Sequence, residues 1–394
     1  MRNKLVLSIL LILCILTGAG NAYAAEGSPA IRELPDLIIV MDGEITPYKD
    51  VPISVGQWTL LPLRELLVNL GVPDDEEHIV WNGQEKSVTV YKEDTKLYLK
   101  QGSRTAYVNE APVQLDAAPV SYAGNQRFYI PLRFVSNTLG KKVVWDSPSN
   151  SVFIKDKLEY DKLKGILDSS QAAMEEIKKC KLIIDVDVNY KMGQLAMDTN
   201  IDIADELDLD KKAMHTSVKM KLLGMEINTD TYYSDNASYA LNPFSGKWEK
   251  KTFTAAEYNE EFDNQDFLNL LTNTETLCAG LVVADTEDST ETVLKGDVYL
   301  NALLNKAMTA GANQGMETGR KMSIDKINLK LIIDNQTHLL KSMEMNIDGT
   351  QTNNDTQSSY TTNLKVEYGD YNGSFEIAVP EKVWKEAVEE TDPF

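Results

Sequence analysis

Histidine is the residue type whose spacing would indicate catalysis or zinc binding, and the chain has three: His78, His215 and His338. A nucleophilic serine or cysteine needs an imidazole beside it, and zinc needs several nitrogen or sulfur ligands brought together. Each histidine stands alone in the sequence, outside an HExxH pattern and away from a nucleophile motif. Walker A, GxSxG and GxGxxG loops are absent as well. We therefore expect no catalytic residue, no metal site and no cofactor.

An acidic run in the middle of the chain resembles the start of a calcium loop. Asp185, Asp187 and Asn189 occupy alternate positions, but Tyr190 and Ala196 stand where an EF-hand loop needs Gly and Glu. The residues between the acids are apolar: Ile184, Val186 and Val188. Strict alternation of this kind favours a strand whose acidic side faces water.

The N-terminus has the three parts of an export signal. Arg2 and Lys4 form a basic start, residues 5–16 an apolar core, and residues 22–24 a small-x-small cleavage site. Cys14 does not follow the small residue that a lipoprotein signal requires, so residues 1–24 are expected to be removed without lipidation. No later segment has membrane-spanning length. We expect a secreted protein at the extracellular face of the cell envelope.

The charge balance restricts the partners. The net charge is −21 and becomes −23 without residues 1–24, which carry two positive charges and no negative ones. Such an acidic chain repels nucleic acid, so nucleic acid is excluded as a partner. Cys180 and Cys278 are the cysteines beyond the signal, and two cysteines leave both a disulfide and separate thiols open.

The N-terminal half of the chain contains a duplicated unit. Three segments occur twice in this order: Pro-Leu-Arg, Leu-Gly and Val-Trp. A turn-rich insertion at residues 73–77 lengthens the first copy. The matched signature residues are Pro62 and Pro131, Arg64 and Arg133, Gly71 and Gly140, and Trp81 and Trp145. A unit this short must bury its apolar face against its twin. The signature therefore indicates a structural role.

Each copy is predicted to contain strands, one helix and a closing hairpin. The Pro suits the first turn of a helix and the Gly suits the left-handed position after its end. Asn82-Gly83 predicts a two-residue type I′ turn in the first hairpin. Arg64 and Arg133 are each expected to pair with a carboxylate of their own repeat.

This pattern resembles the copper amine oxidase N-terminal-like domain, the stalk module of many exported Gram-positive proteins. The resemblance covers about residues 36–156, with repeats at about 37–92 and 104–157, and implies a twisted antiparallel sheet packed against helices. The metal and the tyrosine-derived quinone of the oxidases belong to a different domain. Asn189-Tyr190-Lys191 lacks the acidic residue that should follow a quinone-forming tyrosine, so we reject copper amine oxidase activity.

A second module follows, opened by a helix with an apolar stripe up to Lys179. Long alternating segments then predict an antiparallel meander, with helices at 262–271 and 298–310 and a last strand at 374–379. The order resembles the LolA-like half-barrel, which periplasmic lipoprotein carriers and the lipid-binding LppX-like lipoproteins of mycobacteria share. The resemblance covers residues 158–394 and includes uncharacterised Gram-positive exported proteins.

The half-barrel resemblance implies an apolar cavity between a curved sheet and helices. The aromatic residues expected to line it are Tyr232, Tyr233, Tyr239, Trp248 and Phe253. Strand aromatics equally complete cores or cross-strand pairs, so both roles stay open.

The sequence thus predicts an α+β protein of two modules, a stalk and a half-barrel. We expect it to be non-catalytic and to bind a lipid, a lipopeptide or another hydrophobic small molecule, with a cell-wall or envelope component as a further partner. Two alternatives remain. One is a purely structural or protein-interaction envelope protein with a filled half-barrel. The other is a hydrolase, which would require His215 or His338 beside a buried carboxylate and a serine in a cleft.

Overall fold

The computed structural model describes residues 31–147, 150–222, 224–263, 274–297, 320–353 and 356–389. The predicted export signal at 1–24 and the predicted helix at 298–310 lie outside these residues. Two compact units are present, the first ending at Leu163 and the second comprising most of the chain from Lys164. The fold is α+β, as predicted.

The N-terminal unit contains fourteen described strands, two short helices and the start of a longer one. Its elements are β1 (Ile31–Glu33), β2 (Ile38–Met41), β3 (Glu44–Ile45), β4 (Ile53–Val55), β5 (Trp58–Pro62), α1 (Leu63–Asn69), β6 (Ile79–Asn82), β7 (Ser87–Lys92), β8 (Thr95–Lys100), β9 (Thr105–Val108), β10 (Ala111–Gln114), β11 (Val120–Tyr122), β12 (Arg127–Pro131), α2 (Leu132–Thr138), β13 (Lys141–Asp146), β14 (Ser151–Asp156) and α3 (Lys157–Glu175). They form three sheets, ordered β1-β4-β5-β12-β11, β10-β9-β8-β7-β6 and β13-β14-β2-β3.

The two repeats pair with each other through their Pro-Leu-Arg segments. Strands β5 and β12 are antiparallel, with Leu61 opposite Ile130, Pro62 opposite Tyr129 and Leu60 opposite Pro131. Leu61 and Ile130 are equivalent positions of the two copies, so the pairing is symmetric about them. The apolar faces meet as the duplication predicts.

One apolar core joins the two copies. Leu61, Leu66 and Leu67 of the first repeat and Ile130 and Val135 of the second are fully buried in the same cluster. Burying a side chain of this size stabilises the fold by roughly 1.5–3 kcal/mol. The core is therefore shared between the repeats.

Both repeat helices end as predicted and begin one residue later than predicted. Gly71 follows α1 with φ +82°, and Gly140 follows α2 with φ +80°, the left-handed conformation in which glycine is least strained. Pro62 and Pro131 stand at the N-cap and not in the first turn, because each is also the last residue of a paired strand.

The matched arginines have different environments. Arg64 forms an exposed ion pair with Asp74, whereas Arg133 is exposed and has no ion pair with any described residue. Asp74 belongs to the insertion at 73–77, which the second copy lacks. The carboxylate partner expected for Arg64 is therefore present. The partner expected for Arg133 is wrong, because the second copy lacks the insertion that would supply the carboxylate.

The signature tryptophans lie at the surface. Trp81 is 44% exposed and Trp145 is 39% exposed, and the Trp81 ring meets Phe128 edge-on at 5.0 Å between centroids. Trp81 therefore contacts the other repeat while keeping much of its indole in solvent.

The hairpin between β6 and β7 corrects one predicted turn. Asn82 pairs with Ser87 across a four-residue loop, and the left-handed residue of that loop is Lys86, not Gly83. The Asn82 side-chain oxygen accepts hydrogen bonds from the backbone N–H groups of Gln84 and Glu85. This side-chain turn replaces the predicted type I′ turn.

The C-terminal unit is built on one twelve-stranded sheet. Its elements are β15 (Lys179–Met192), β16 (Leu195–Asp208), β17 (Ala213–Leu222), β18 (Met225–Ser234), β19 (Ala237–Leu241), β20 (Trp248–Thr252), α4 (Ala255–Asp263), α5 (Thr274–Gly280), β21 (Val282–Ala284), β22 (Glu291–Asp297), β23 (Arg320–Asp334), β24 (Leu340–Asn353), β25 (Thr356–Gly369), α6 (Glu381–Glu386) and β26 (Val388–Glu389). The strand order is β21-β22-β23-β24-β25-β15-β16-β17-β18-β19-β20-β26, and every neighbouring pair is antiparallel except β20 and β26.

The end of the chain departs from the predicted meander. Residues 374–379 were predicted to be a strand, but they form no strand and join no ladder. Strand β25 already has β24 on one side and β15 on the other, so a strand that turns back from it has no free edge to pair with. Of the helix predicted at 262–271, residues 264–271 lie outside the described part, and α4 begins earlier, at Ala255.

The left-handed glycine after α2 gives a stability prediction. A Cβ at Gly140 would meet no atom within 4 Å, so Gly140→Ala should cost only backbone strain, about 1–2 kcal/mol of unfolding free energy. Gly165 lies inside α3 with equally open space, and Gly165→Ala should stabilise the protein by about 0.5–1 kcal/mol. Urea unfolding of both variants measures the two effects. Equal stability of both variants would contradict the assigned helix end.

Candidate functional site

Alternation gives the large sheet two chemically different faces. Along β15, Leu182, Ile184 and Val186 are buried, whereas Ile183 and Asp187 on the opposite side are exposed. We call the side of Leu182 the inner face and the side of Ile183 the outer face. Residues paired across strands point to the same side, so the pairing extends both faces over the neighbouring strands.

The inner face is apolar across the central strands. The buried residues that the register places on it are Ile201, Ile203, Leu207, Met214, Val218 and Met220 on β16 and β17, and Leu329, Leu331, Met343, Met345 and Val366 on β23 to β25. Alternating residues of five or more adjacent strands thus form one continuous apolar surface.

This surface reaches solvent at one end of the strands. Met192 and Leu195, paired across the β15–β16 turn, are 38% and 51% exposed, and Met225 at the start of β18 is 56% exposed. All three have the inner-face parity. We call these three residues the rim. Exposed apolar side chains at the end of a buried apolar surface are typical of a binding entrance, and methionine adapts to varied ligand shapes.

The sequence analysis did not single out the rim. The signal was present, because Gly193-Gln194 and Gly224 mark hairpin ends, where polar residues are usual, and Met and Leu flank them instead.

Three polar atoms on the inner face are buried without a partner. Among the described residues, Asp205 Oδ1, Thr362 Oγ1 and Tyr368 Oη have no hydrogen-bond partner. The register places all three side chains on the inner face, with Tyr368 and Asp205 each opposite Leu182. Native proteins pair almost all such groups, since each unpaired one costs about 1–3 kcal/mol. A water or a ligand that reaches these positions would pair them.

The predicted aromatic set divides between the two faces. Tyr233 and Phe253 lie on the inner face, buried against Tyr258 of α4 at ring distances of 6.4 and 6.0 Å. Tyr232 and Tyr239 pair with each other on the outer face, and the Trp248 ring lies 5.9 Å from Tyr232. Because Tyr232 and Tyr233 are adjacent in a strand, they cannot line one surface together. Lining by Tyr233 and Phe253 stays a prediction, at the end of the face away from the rim.

A charged cluster surrounds His215 on the outer face. Its Nε2 lies 3.3 Å from Asp230 Oδ1 and its Nδ1 lies 3.6 Å from Glu206 Oε2. The imidazole stacks on Tyr232 with 4.2 Å between centroids. The hydrogen bond with Asp230 is the main cause that raises the pKa of His215, and burial partly opposes it. The cluster thus favours the imidazolium form.

The His215 cluster does not form a hydrolytic triad. Ser217 Oγ donates to Asp230 Oδ1 at 2.5 Å, so the serine and the imidazole share one carboxylate instead of contacting each other. A triad requires the base to hold the nucleophile's proton. His338 lies exposed in the turn after β23, its backbone N–H bonded to the Asp334 carbonyl. Neither histidine meets the condition for a hydrolase.

An apolar cleft lies in the N-terminal unit. It has a volume of ≈ 450 Å³ and is lined by Ile31, Val55, Trp58, Ala117 and Val120, with Arg104 also at its wall. The cleft adjoins the small core around Tyr129.

Metal binding, the two cysteines and membrane spans were the remaining questions for the described part of the chain. No three His, Cys, Asp or Glu residues there are grouped as a metal site. Cys180 and Cys278 are both buried as thiols, so no disulfide joins them in the structure. None of the helices that the structure describes is long and apolar enough to cross a membrane.

The His215 cluster gives a pH prediction. NMR titration should find the His215 pKa above its ordinary value of 6.5, and Asp230→Asn should lower it towards that value. Asp187→Asn, which changes an exposed carboxylate of the same face, is the control and should leave the His215 pKa unchanged.

A raised folded-state pKa of His215 stabilises the fold below pH 6.5, and this contribution is lost as the pH rises through the folded-state pKa. The stability advantage over His215→Gln should shrink in that window; a constant advantage would refute the ion pair.

Two family models match the chain. The model of the copper amine oxidase N-terminal domain matches residues 40–154 and confirms the first resemblance predicted from the sequence. It describes the N-terminal domain of those enzymes. A search of curated proteins found no match.

The chain also has similarity to several solved structures. LprF from Mycobacterium bovis is 10% identical with a TM-score of 0.33, covering 56% of this chain and 97% of that one. The Mycobacterium tuberculosis lipoprotein LppX is 10% identical with a TM-score of 0.29, covering 55% and 99%. A LolA superfamily protein from Nitrosomonas europaea is 9% identical with a TM-score of 0.19, covering 56% and 95%. LppX and the LolA superfamily are also the names given in the second resemblance.

The second family model matches residues 162–388 and is described as a family of unknown function. It spans the C-terminal unit, with the twelve-stranded sheet, the rim and the His215 cluster. Because this model matches more than half of the chain, the protein belongs to the family of unknown function DUF6612.

Proposed function

We propose that the C-terminal unit binds a hydrophobic ligand, a lipid or lipopeptide, on its inner face and does not transform it. The observation that carries this proposal is the rim: Met192, Leu195 and Met225 expose the end of an otherwise buried apolar surface. Surface apolar groups are normally scattered singly, and grouped ones mark binding sites. Burial of ligand surface would supply roughly 25 cal/mol per Å² before entropic costs.

Polar atoms on the inner face are available to a ligand. Asp205, Thr362 and Tyr368 each have a side-chain oxygen without a partner among the described residues. A ligand or ordered water that reaches the inner face would pair these oxygens.

The cellular setting is the second part of the proposal. The N-terminal unit serves as a spacer or attachment element at the extracellular face of the cell envelope, with a cell-wall or envelope component as its partner. This part rests on the export signal in residues 1–24 and on the match of residues 40–154 to the stalk module.

The direct test is whether lipid accompanies the protein. The full chain should be expressed with export, purified without detergent, and examined by native mass spectrometry and solvent extraction. Lipid bound in a defined stoichiometry is the expected result. A protein that is empty and also takes up neither added lipid nor an apolar dye would contradict the proposal and favour the filled half-barrel.

Substitution at the rim gives the sharper prediction. Leu195→Asp should weaken lipid or dye binding by about tenfold or more, since losing one buried leucine contact removes roughly 1.5–3 kcal/mol. Ile183→Asp is the matched control, because Ile183 is a similarly exposed apolar residue of β15, 46% exposed, on the outer face. Circular dichroism should show that both variants fold. Equal binding by both variants would remove the rim from the site.

A further inference from the structure

The inner face contains a polar row towards the end away from the rim. Asp205 of β16 lies opposite Thr216 of β17, which lies opposite Thr231 of β18. Their exposed fractions are 4%, 5% and 7%. On β16 and β17 the next row towards the rim is Ile203 and Val218, so Asp205 and Thr216 have apolar neighbours on that side.

Asp205 has an unfavourable environment in the protein without ligand. Its Oδ1 has no partner among the described residues, although the side chain also engages Thr216. Burial raises the pKa of this carboxyl to about 6, and the Thr216 hydrogen bond and the charge of His215 only partly oppose the rise. A buried, incompletely paired carboxyl lowers stability, and an apolar residue of similar size would serve a core better. A hydrogen-bond donor on a ligand would pair the Oδ1 that the described residues leave without a partner.

We propose that the row of Asp205, Thr216 and Thr231 holds the polar end of the bound amphiphile and selects a ligand whose polar end donates hydrogen bonds, a hydroxyl or a primary amine. This inference rests on the proposed function. The free carboxyl oxygen accepts a hydrogen bond, and the threonine hydroxyls beside it can accept or donate. A carboxylate or phosphate end is disfavoured, because it places a second negative charge beside a buried acid.

The position of the row also limits how the ligand lies. Asp205 is ten residues from Leu195 along β16, which corresponds to roughly 33 Å of strand. One acyl chain spans about half of the roughly 30 Å hydrocarbon core of a bilayer. A single chain of that length held at Asp205 therefore ends short of the rim, and contact with Leu195 requires a ligand roughly twice as long.

The test compares three probes with one chain length: dodecanol, dodecylamine and dodecanoate, each displacing a fluorescent apolar dye from the full-length protein. The parent protein should bind dodecanol and dodecylamine at least tenfold more tightly than dodecanoate. Asp205→Leu should keep dye binding and lose this preference. Asp205→Asn keeps the shape without the charge, and should bind dodecanoate more tightly than the parent does. Asp187→Leu, at an outer-face acid, should change none of these affinities.

A stability measurement separates a ligand-binding role from a structural one. Asp205→Leu should raise the thermal midpoint of the ligand-free protein, because it removes a buried unpaired polar group. A lower midpoint together with an unchanged probe preference would overturn the inference. If the parent binds the dye and all three probes equally, the assignment of the polar end fails while the proposed function stands. If the parent binds neither dye nor probe, both fail.

Discussion

The register of β15 with its two neighbours is the constraint on which the C-terminal unit depends. Fourteen residue pairs join β15 to β16 and eleven join it to β25, all antiparallel. Because side chains alternate between faces, a slip of one residue would bring Leu182, Ile184 and Val186 to solvent and bury Asp185 and Asp187. The apolar inner face, the rim, the row at Asp205 and the cluster at His215 all follow from this one alignment.

The N-terminal unit buries its apolar surface through duplication. The antiparallel pairing centred on Leu61 and Ile130 lets the two copies share one apolar core. The copies differ outside this pairing. The insertion at 73–77 supplies Asp74 to Arg64, and the exposed Arg133 shows what the position looks like without that insertion.

The parts of this structure that could be predicted from sequence are those that depend on local patterns. The helix ends at Gly71 and Gly140 follow from the rare left-handed conformation, and the pairing of the repeats follows from the recurrence of Pro-Leu-Arg. The turn after Asn82 could not be predicted, because a side-chain hydrogen bond competed with the preference of the Asn-Gly pair. The glycines beside the rim mark its hairpins in the sequence, but the exposure of the rim residues depends on where each hairpin ends, which the pattern does not determine.

The two edges of the largest sheet have a consequence for solubility during folding. Strand β26 pairs only two residues with β20, and β21 at the other edge has three residues. Lys250 and Glu389 form an ion pair across the β20–β26 contact. Short and charged edges offer little template for a strand from another molecule. The two outermost strands of this sheet therefore present only short ladders to which another molecule could add a strand.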